Sequence, residues 1–315
     1  MSKTRFQPQP ESPPDSGVEL ISPTDLQSSK SSLPESWELT AVISAKKYNL
    51  SYESLLRFVL GELKKWTLKE SDLSRSDLTR EVAVYYFTEI PSEFNPSEAD
   101  FSRITWDSKF AILRVKMPTE GHDLAQTWIQ HSLYLEWMER TKTISPHEAS
   151  LLQVQVGTTL ELPTSPFTKS KKQPDCFLRP LGSSSLPPIV LEVGWSESRP
   201  RLIEDMELLL QGGGGQIQVV ILINWSLRQN KTKVAGTVEL WRLGQNGQPS
   251  LQQSESIFPS PNTLQPQHLE VTFGEVFQSQ LLPSRNSSDK LYLDIDLLSD
   301  IAVQTFQPLR LSPAP

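Results

Sequence analysis

The chain has 315 residues, 37% of them hydrophobic, with a formal net charge of -7 and a pI near 5.3. That length suits one sizeable core and one or two domains of about 150 residues each. The acidic balance excludes a protein that coats nucleic acid non-specifically, because such binding is driven by counterion release at clustered Lys and Arg; the single Cys176 excludes an internal disulfide and a multi-cysteine zinc site.

The start, MSKTRFQPQPESPPDS, has no apolar stretch of the kind found in a leader, and no later run approaches the ~20 apolar residues that span a bilayer. The expectation is an intracellular protein, cytoplasmic or nuclear, with no membrane partner. Residues 1 to 35 carry Pro8, Pro10, Pro13, Pro14, Pro23 and Pro34 among Ser, Gln and Glu, too few apolar side chains to offset the entropy of ordering. They are expected to form a disordered tail, and residues 36 to 315 a single α/β domain. In LSYESLLRFVLGELKKW, Tyr52, Leu55, Leu56, Val59, Leu60, Leu63 and Trp66 recur at helical spacing behind a capping Ser51, which predicts an amphipathic helix. EVAVYYFTEI and KFAILRVKM are short, rich in β-branched and aromatic residues, and predict strands.

MPTEGHDLAQTWIQHSLYLEWMER follows, with Leu124, Trp128, Leu135 and Met138 on one face; it predicts a helix of about five turns beginning near Asp123, a carboxylate suited to a helix N-terminus. SLLQVQVGTTLEL predicts a strand or a hairpin. QPDCFLRP predicts a short strand after a basic loop, and PPIVLEVGW a strand apolar on both faces, as central strands are. SRPRLIEDMELLLQGGGG predicts a helix with Pro200 in its first turn, Leu202, Met206, Leu209 and Leu210 on its buried side, and a flexible glycine connection after it. QIQVVILINW is the next buried strand, so strand, helix and strand make a βαβ unit with a parallel pair. TVELWRL, HLEVTF and KLYLDIDLLSDIAVQTF supply later elements, the last ending in a helix.

Within these elements, Glu192 stands inside the apolar run IVLEVGW, 17 residues after the Asp175 of a Pro-Asp pair. A charge buried in a low-dielectric interior needs a partner, a metal or a task. Bland explanations exist for each residue. A Pro-Asp pair is commonly a turn, Glu192 suits a structural salt bridge, His122 suits packing at a helix start, and Lys169, Lys171 and Lys172 suit a solvated loop. The eight tryptophans suit packing. Two other chemistries fail on sequence. GWSES has Ser198 where a nucleophile elbow around Ser196 needs a small residue, and the GGGG run ends a helix and lacks the Gly-Lys-Ser/Thr of a phosphate-binding loop.

Helix with Asp123, strand with Asp175, strand with Glu192, helix, strand is the αβββαβ order of a restriction-endonuclease-like core. KMPTEGHDLAQ, KKQPDCFLRP and LPPIVLEVGWSES, followed by a helix and QVVILINW, together resemble uncharacterised fungal proteins of the PD-(D/E)xK superfamily. More distantly the chain is similar to bacterial Uma-type restriction endonucleases. The resemblance covers about residues 105–230. It implies a metal-dependent nuclease in which Asp175 and Glu192 are catalytic and hold Mg²⁺ or Mn²⁺, with Asp123 in the place of the helix acid. Such hard ions prefer carboxylate oxygens and keep several waters. The pattern's lysine belongs two residues after Glu192, where this chain has Gly194. Lys172 and Arg199 are then the candidates to supply its charge, and Lys169, Lys171, Lys172, Arg199 and Arg201 form a local basic patch for a nucleic-acid backbone. The alternative is an interaction module that keeps the fold without the chemistry.

Overall fold

The computed structural model describes residues 81–86, 103–110, 112–116, 120–195, 199–261 and 266–315. The expected tail over 1–35 and the helix expected over residues 51–66 lie outside the described residues, as do Ser196 and Ser198. The described part is a mixed α/β structure built on two larger sheets and a small one.

The first sheet has five strands: β1 (Glu81–Tyr86), β2 (Arg103–Asp107), β3 (Ile112–Lys116), β5 (Leu160–Leu162) and β6 (Ser170–Lys172), in the order β1-β3-β2-β6-β5. The second has seven. Its main path is β11 (Pro249–Phe258), β10 (Lys233–Leu243), β9 (Val219–Arg228), β8 (Ile189–Trp195), β7 (Cys176–Pro180) and β4 (Leu152–Gln155), with β14 (Ser312–Pro313) pairing β10. A two-stranded sheet joins β12 (His268–Thr272) to β13 (Lys290–Asp294).

The βαβ expectation holds. β8 and β9 are parallel neighbours, joined by helix α3 (Arg199–Gly212). Every residue of β8 is buried, because helices cover both faces of this part of the sheet. Ile189, Leu191, Val193 and Trp195 share one core with helices α1 (Glu120–His131) and α5 (Ile295–Phe306) and with the β12–β13 pair. Val190 points the other way, into a second core with Leu202, Met206 and Leu209 of α3 and with Leu160, Leu162 and Phe167 of the first sheet and its following turn.

Several expectations need correction. The helix expected near Asp123 begins at Glu120 and, after three turns, widens into a π-helical segment over Ser132–Arg140. A capping box of Ser145 and Glu148 then starts the short helix α2 (Pro146–Ser150). SLLQVQVGTTLEL is not a hairpin: β4 and β5 belong to different sheets, so the chain crosses between sheets within it. Lys171 and Lys172 lie in strand β6, not in a basic loop. HLEVTF splits, since Phe273 opens helix α4 (Phe273–Phe277) under a Thr272–Glu275 capping box. In the glycine run Gly212 and Gly213 are buried, whereas Gly214 and Gly215 are exposed. A Cβ on Gly212 would meet Leu162 at 2.8 Å, and one on Gly214, whose φ is +59°, would meet the Thr164 hydroxyl at 2.3 Å.

Candidate functional site

β7 brings Asp175 to the site and β8 brings Glu192. The two strands are antiparallel and their ladder runs to the pair Cys176–Leu191, so the next residues along it are Asp175 and Glu192. Asp175 is 5% exposed, and its Oδ2 accepts the backbone N–H of Val193 at 2.8 Å, which clamps the carboxylate against β8. Glu192 is fully buried, on the face of β8 that α3 covers.

The cation beside Glu192 comes from the other sheet. Lys172, at the end of β6, extends its Nζ to 3.1 Å from Glu192 Oε2 and 2.6 Å from Asp205 Oδ2. Only 2% of its surface is exposed, so it does not belong to an exposed patch. Burial opposes its charge, but the carboxylates of Asp205, Glu192 and Asp175 outweigh burial and hold the ammonium above its ordinary pKa. It therefore stays protonated. Arg114 of β3 completes the network, with NH2 2.8 Å from Asp205 Oδ1 and NH1 3.3 Å from Glu204 Oε2. Burial again opposes the charge, and Asp205 and Glu204 hold its pKa up.

The remaining candidates lie apart from that cluster. Arg199 opens α3 and pairs with Glu239 of β10 at 2.8 Å. Asp123 is exposed on the first turn of α1, and its neighbour His122 is buried. Lys169 is exposed and Lys171 half-buried, and Arg201 is half-buried on α3. Gly194 is paired with Asn224 of β9. Trp195 packs against Phe306, their ring centroids 5.7 Å apart, on the sheet face opposite Glu192, so it does not fill the space beside the carboxylates. Phe177 is fully buried in the α3-side core.

Sequence reasoning missed Arg114 and Asp205, although each left a signal. Arg114 stands in the middle of the apolar strand ILRVK, as Glu192 does in IVLEVGW, and Asp205 takes a slot in the buried stripe of Leu202, Met206 and Leu209. The all-oxygen donor pair of Asp175 and Glu192 fits a hard divalent ion by its chemistry. Among the described residues no three His, Cys, Asp or Glu side chains converge tightly enough to hold one.

A cavity of about 210 Å³ lies elsewhere, between the π-helical segment and β13, beside Trp137, Tyr292 and His268. Its Arg140 pairs with Glu136 and with Asp294, so the charges on its wall already answer one another. Among the described residues no helix is long and apolar enough to cross a membrane. No family model, curated protein or solved structure matches the chain.

Proposed function

We propose that the chain is a metal-dependent phosphodiester hydrolase acting on nucleic acid, with a restriction-endonuclease-like core formed by α1, β4, β7, β8, α3 and β9. The observation that carries this reading is the position of Lys172, whose ammonium lies 3.1 Å from Glu192 although the residue two positions after that glutamate is Gly194. A lysine from β6 thus brings to the carboxylates the charge that the expected sequence position lacks. The order of the elements and the parallel β8–β9 pair support the same reading.

In this reading Asp175 and Glu192 would hold the metal, which when bound would supply a hydroxide and neutralise charge developing on the phosphate. Lys172 stabilises negative charge beside them from a fixed, desolvated position, where a preorganised cation acts most strongly. Lys169, Lys171 and Arg201 lie on the turn before β6, on β6 and on α3, and are suited to phosphate contact. Incubation of mixed DNA and RNA with Mg²⁺ or Mn²⁺ is expected to give cleavage that disappears in Asp175→Ala and Glu192→Ala. Asp123→Ala, at an exposed position, loses less because water can replace it. Lys172→Arg is expected to fall by about 10²–10³ in rate, the loss typical of one misplaced electrostatic stabiliser.

A second reading, the interaction module without chemistry, is favoured by the complete burial of Glu192 and the use of Asp175 Oδ2 as a backbone acceptor. Folded wild-type protein that cleaves neither nucleic acid with either metal decides for the module.

A further inference from the structure

The two-stranded sheet leaves the outer side of β13 as an edge, and side chains close most of it. Trp137 Nε1 donates to the Tyr292 carbonyl and Trp128 Nε1 to the Asp294 carbonyl, each at 2.7 Å. Across the ladder from Tyr292, Glu270 gives its N–H to Gln253 Oε1 at 2.7 Å, and its carbonyl accepts from Arg242 at 2.8 Å, so Tyr292 and Glu270 form a non-hydrogen-bonded pair. The Tyr292 N–H therefore points out of the sheet beside its capped carbonyl, and it is left to a ligand. Tyr292 and Trp137 both line the cavity of about 210 Å³, together with His268, whose ring meets that of Tyr292 edge-on at 4.4 Å.

The charged groups of the lining balance one another. Arg140 pairs with Glu136 and with Asp294, and Asp294 Oδ1 also accepts the N–H groups of Asp296 and Leu297 at the N-terminus of α5, where a carboxylate is favoured. A charged ligand of either sign would upset that balance, and a neutral one would not. Glu136 meets Arg140 through Oε2, so its Oε1 keeps acceptor capacity to set beside the Tyr292 donor. The volume is below the range of about 300–1,000 Å³ typical of drug-sized ligands, which limits the occupant to one or two fused rings. Glu136, Trp137 and Arg140 all come from the π-helical segment, a rare element that often marks a functional site.

We propose that this cavity binds a single nucleobase by an edge that carries a ring C=O beside a ring N–H, the edge that guanine and uracil share. The ring carbonyl accepts the Tyr292 N–H, the ring N–H donates to Glu136 Oε1, and the flat faces lie among Trp137, His268 and Tyr292. Neutral, planar and polar at one edge, such a ring meets each of the three demands of the lining. The site does not rest on the hydrolase reading, because Trp137 belongs to the core on the face of β8 opposite Glu192. The base can belong to a free nucleoside or to an unpaired position in a single strand.

The test titrates the full chain, without added metal, with uridine and with guanosine by ligand-observed NMR. A ring of this size is expected to bind with a Kd of about 1 mM. Adenosine, which lacks the edge, and 3-methyluridine, in which a methyl group replaces the ring N–H, should bind at least about tenfold more weakly, the loss expected when a polar partner is left unpaired. Tyr292→Ala removes a half-exposed ring and is expected to weaken uridine binding about tenfold, as loss of one base–aromatic contact does. If that variant does not fold, Tyr292→Leu keeps the bulk without the ring and is read in the same way. No binding of uridine or guanosine by folded wild type at about ten times the expected Kd overturns the site. Equal binding of 3-methyluridine overturns the edge recognition, and undiminished binding by the folded Tyr292 variant overturns the location. A short oligouridylate separates the two sources: binding tighter than uridine assigns the base to a strand, equal or weaker binding assigns it to a free nucleoside, and both results support the site.

Discussion

Arg285 reaches Glu148 with both arms of its guanidinium, Nε to Oε1 at 2.6 Å and NH2 to Oε2 at 2.7 Å, while NH2 also donates to the Thr143 carbonyl at 3.0 Å. The same carboxylate accepts the backbone N–H of Ser145 at 2.8 Å, so one side chain caps α2 and anchors the segment before β13. The Arg285 hydrogen bonds, helped by Ser145 and opposed by burial, hold Glu148 down at about 2, below its ordinary 4.5. A depressed carboxylate contributes stability that is complete above its unfolded value and is lost as pH falls through the folded one. The pair should thus stabilise fully above pH 4.5 and fade as pH falls toward 2. Arg285→Ala is expected to lower stability at pH 7 by about 1–2 kcal/mol, discounted because Arg285 is partly exposed. Urea unfolding at pH 7 and at pH 3 checks this: the variant's deficit should shrink at the lower pH, and an undiminished deficit would refute the linkage.

Among the elements, β9 and β10 are held by a close approach at Gly236, which pairs with Trp225 across the ladder. A Cβ at Gly236 would lie 2.2 Å from Trp225 Cζ3, so the indole occupies the space a side chain would need. Trp225 in turn meets Phe306 of α5 edge-on, with ring centroids 5.1 Å apart. Gly236→Ala must therefore push a fully buried ring against α5, and overpacking of that kind costs about 1–3 kcal/mol. The expected result is a lower Tm with a changed tryptophan emission. Unchanged values for both would mean that the strand shifts to make room. The strands themselves were readable because their apolar runs are long and bounded by turn formers, whereas β6 was not, since a short SKK segment has no strand pattern of its own. The capping boxes Ser145-x-x-Glu148 and Thr272-x-x-Glu275 went unread, although their spacing carries its own mechanism.

At the scale of the whole molecule, the cations and carboxylates of the buried network come from different sheets. Arg114 and Lys172 belong to β3 and β6 of the five-stranded sheet, while Glu192 belongs to β8, and Glu204 and Asp205 to α3, which packs on that sheet. The network therefore fixes how the two sheets meet, and breaking one partner leaves an uncompensated buried charge. Arg114→Met and Asp205→Leu are each expected to cost about 3–5 kcal/mol. The double variant should cost less than the sum by about 1–3 kcal/mol. A double-mutant cycle by chemical denaturation reads this directly, and strictly additive losses would show that the ion pair does not join the sheets.

The sequence by itself determined the parallel β8–α3–β9 unit and the neighbouring places of Asp175 and Glu192, because these follow from local patterns: apolar runs, turn formers and a short connection between adjacent strands. It also marked Glu192 as a buried charge that needed a partner. Only the tertiary structure decided which partner. Lys172 looks like part of a solvated loop when its neighbours in the chain are all that is known, and it becomes a buried counter-ion because its ammonium meets Glu192 of β8 and Asp205 of α3. Arg114, Lys172 and Asp205 lie on three elements far apart in the chain, and no local spacing encodes their meeting. A charge pair depends on distance in space and on the exclusion of water, and both of these exist only once the sheets have closed on one another.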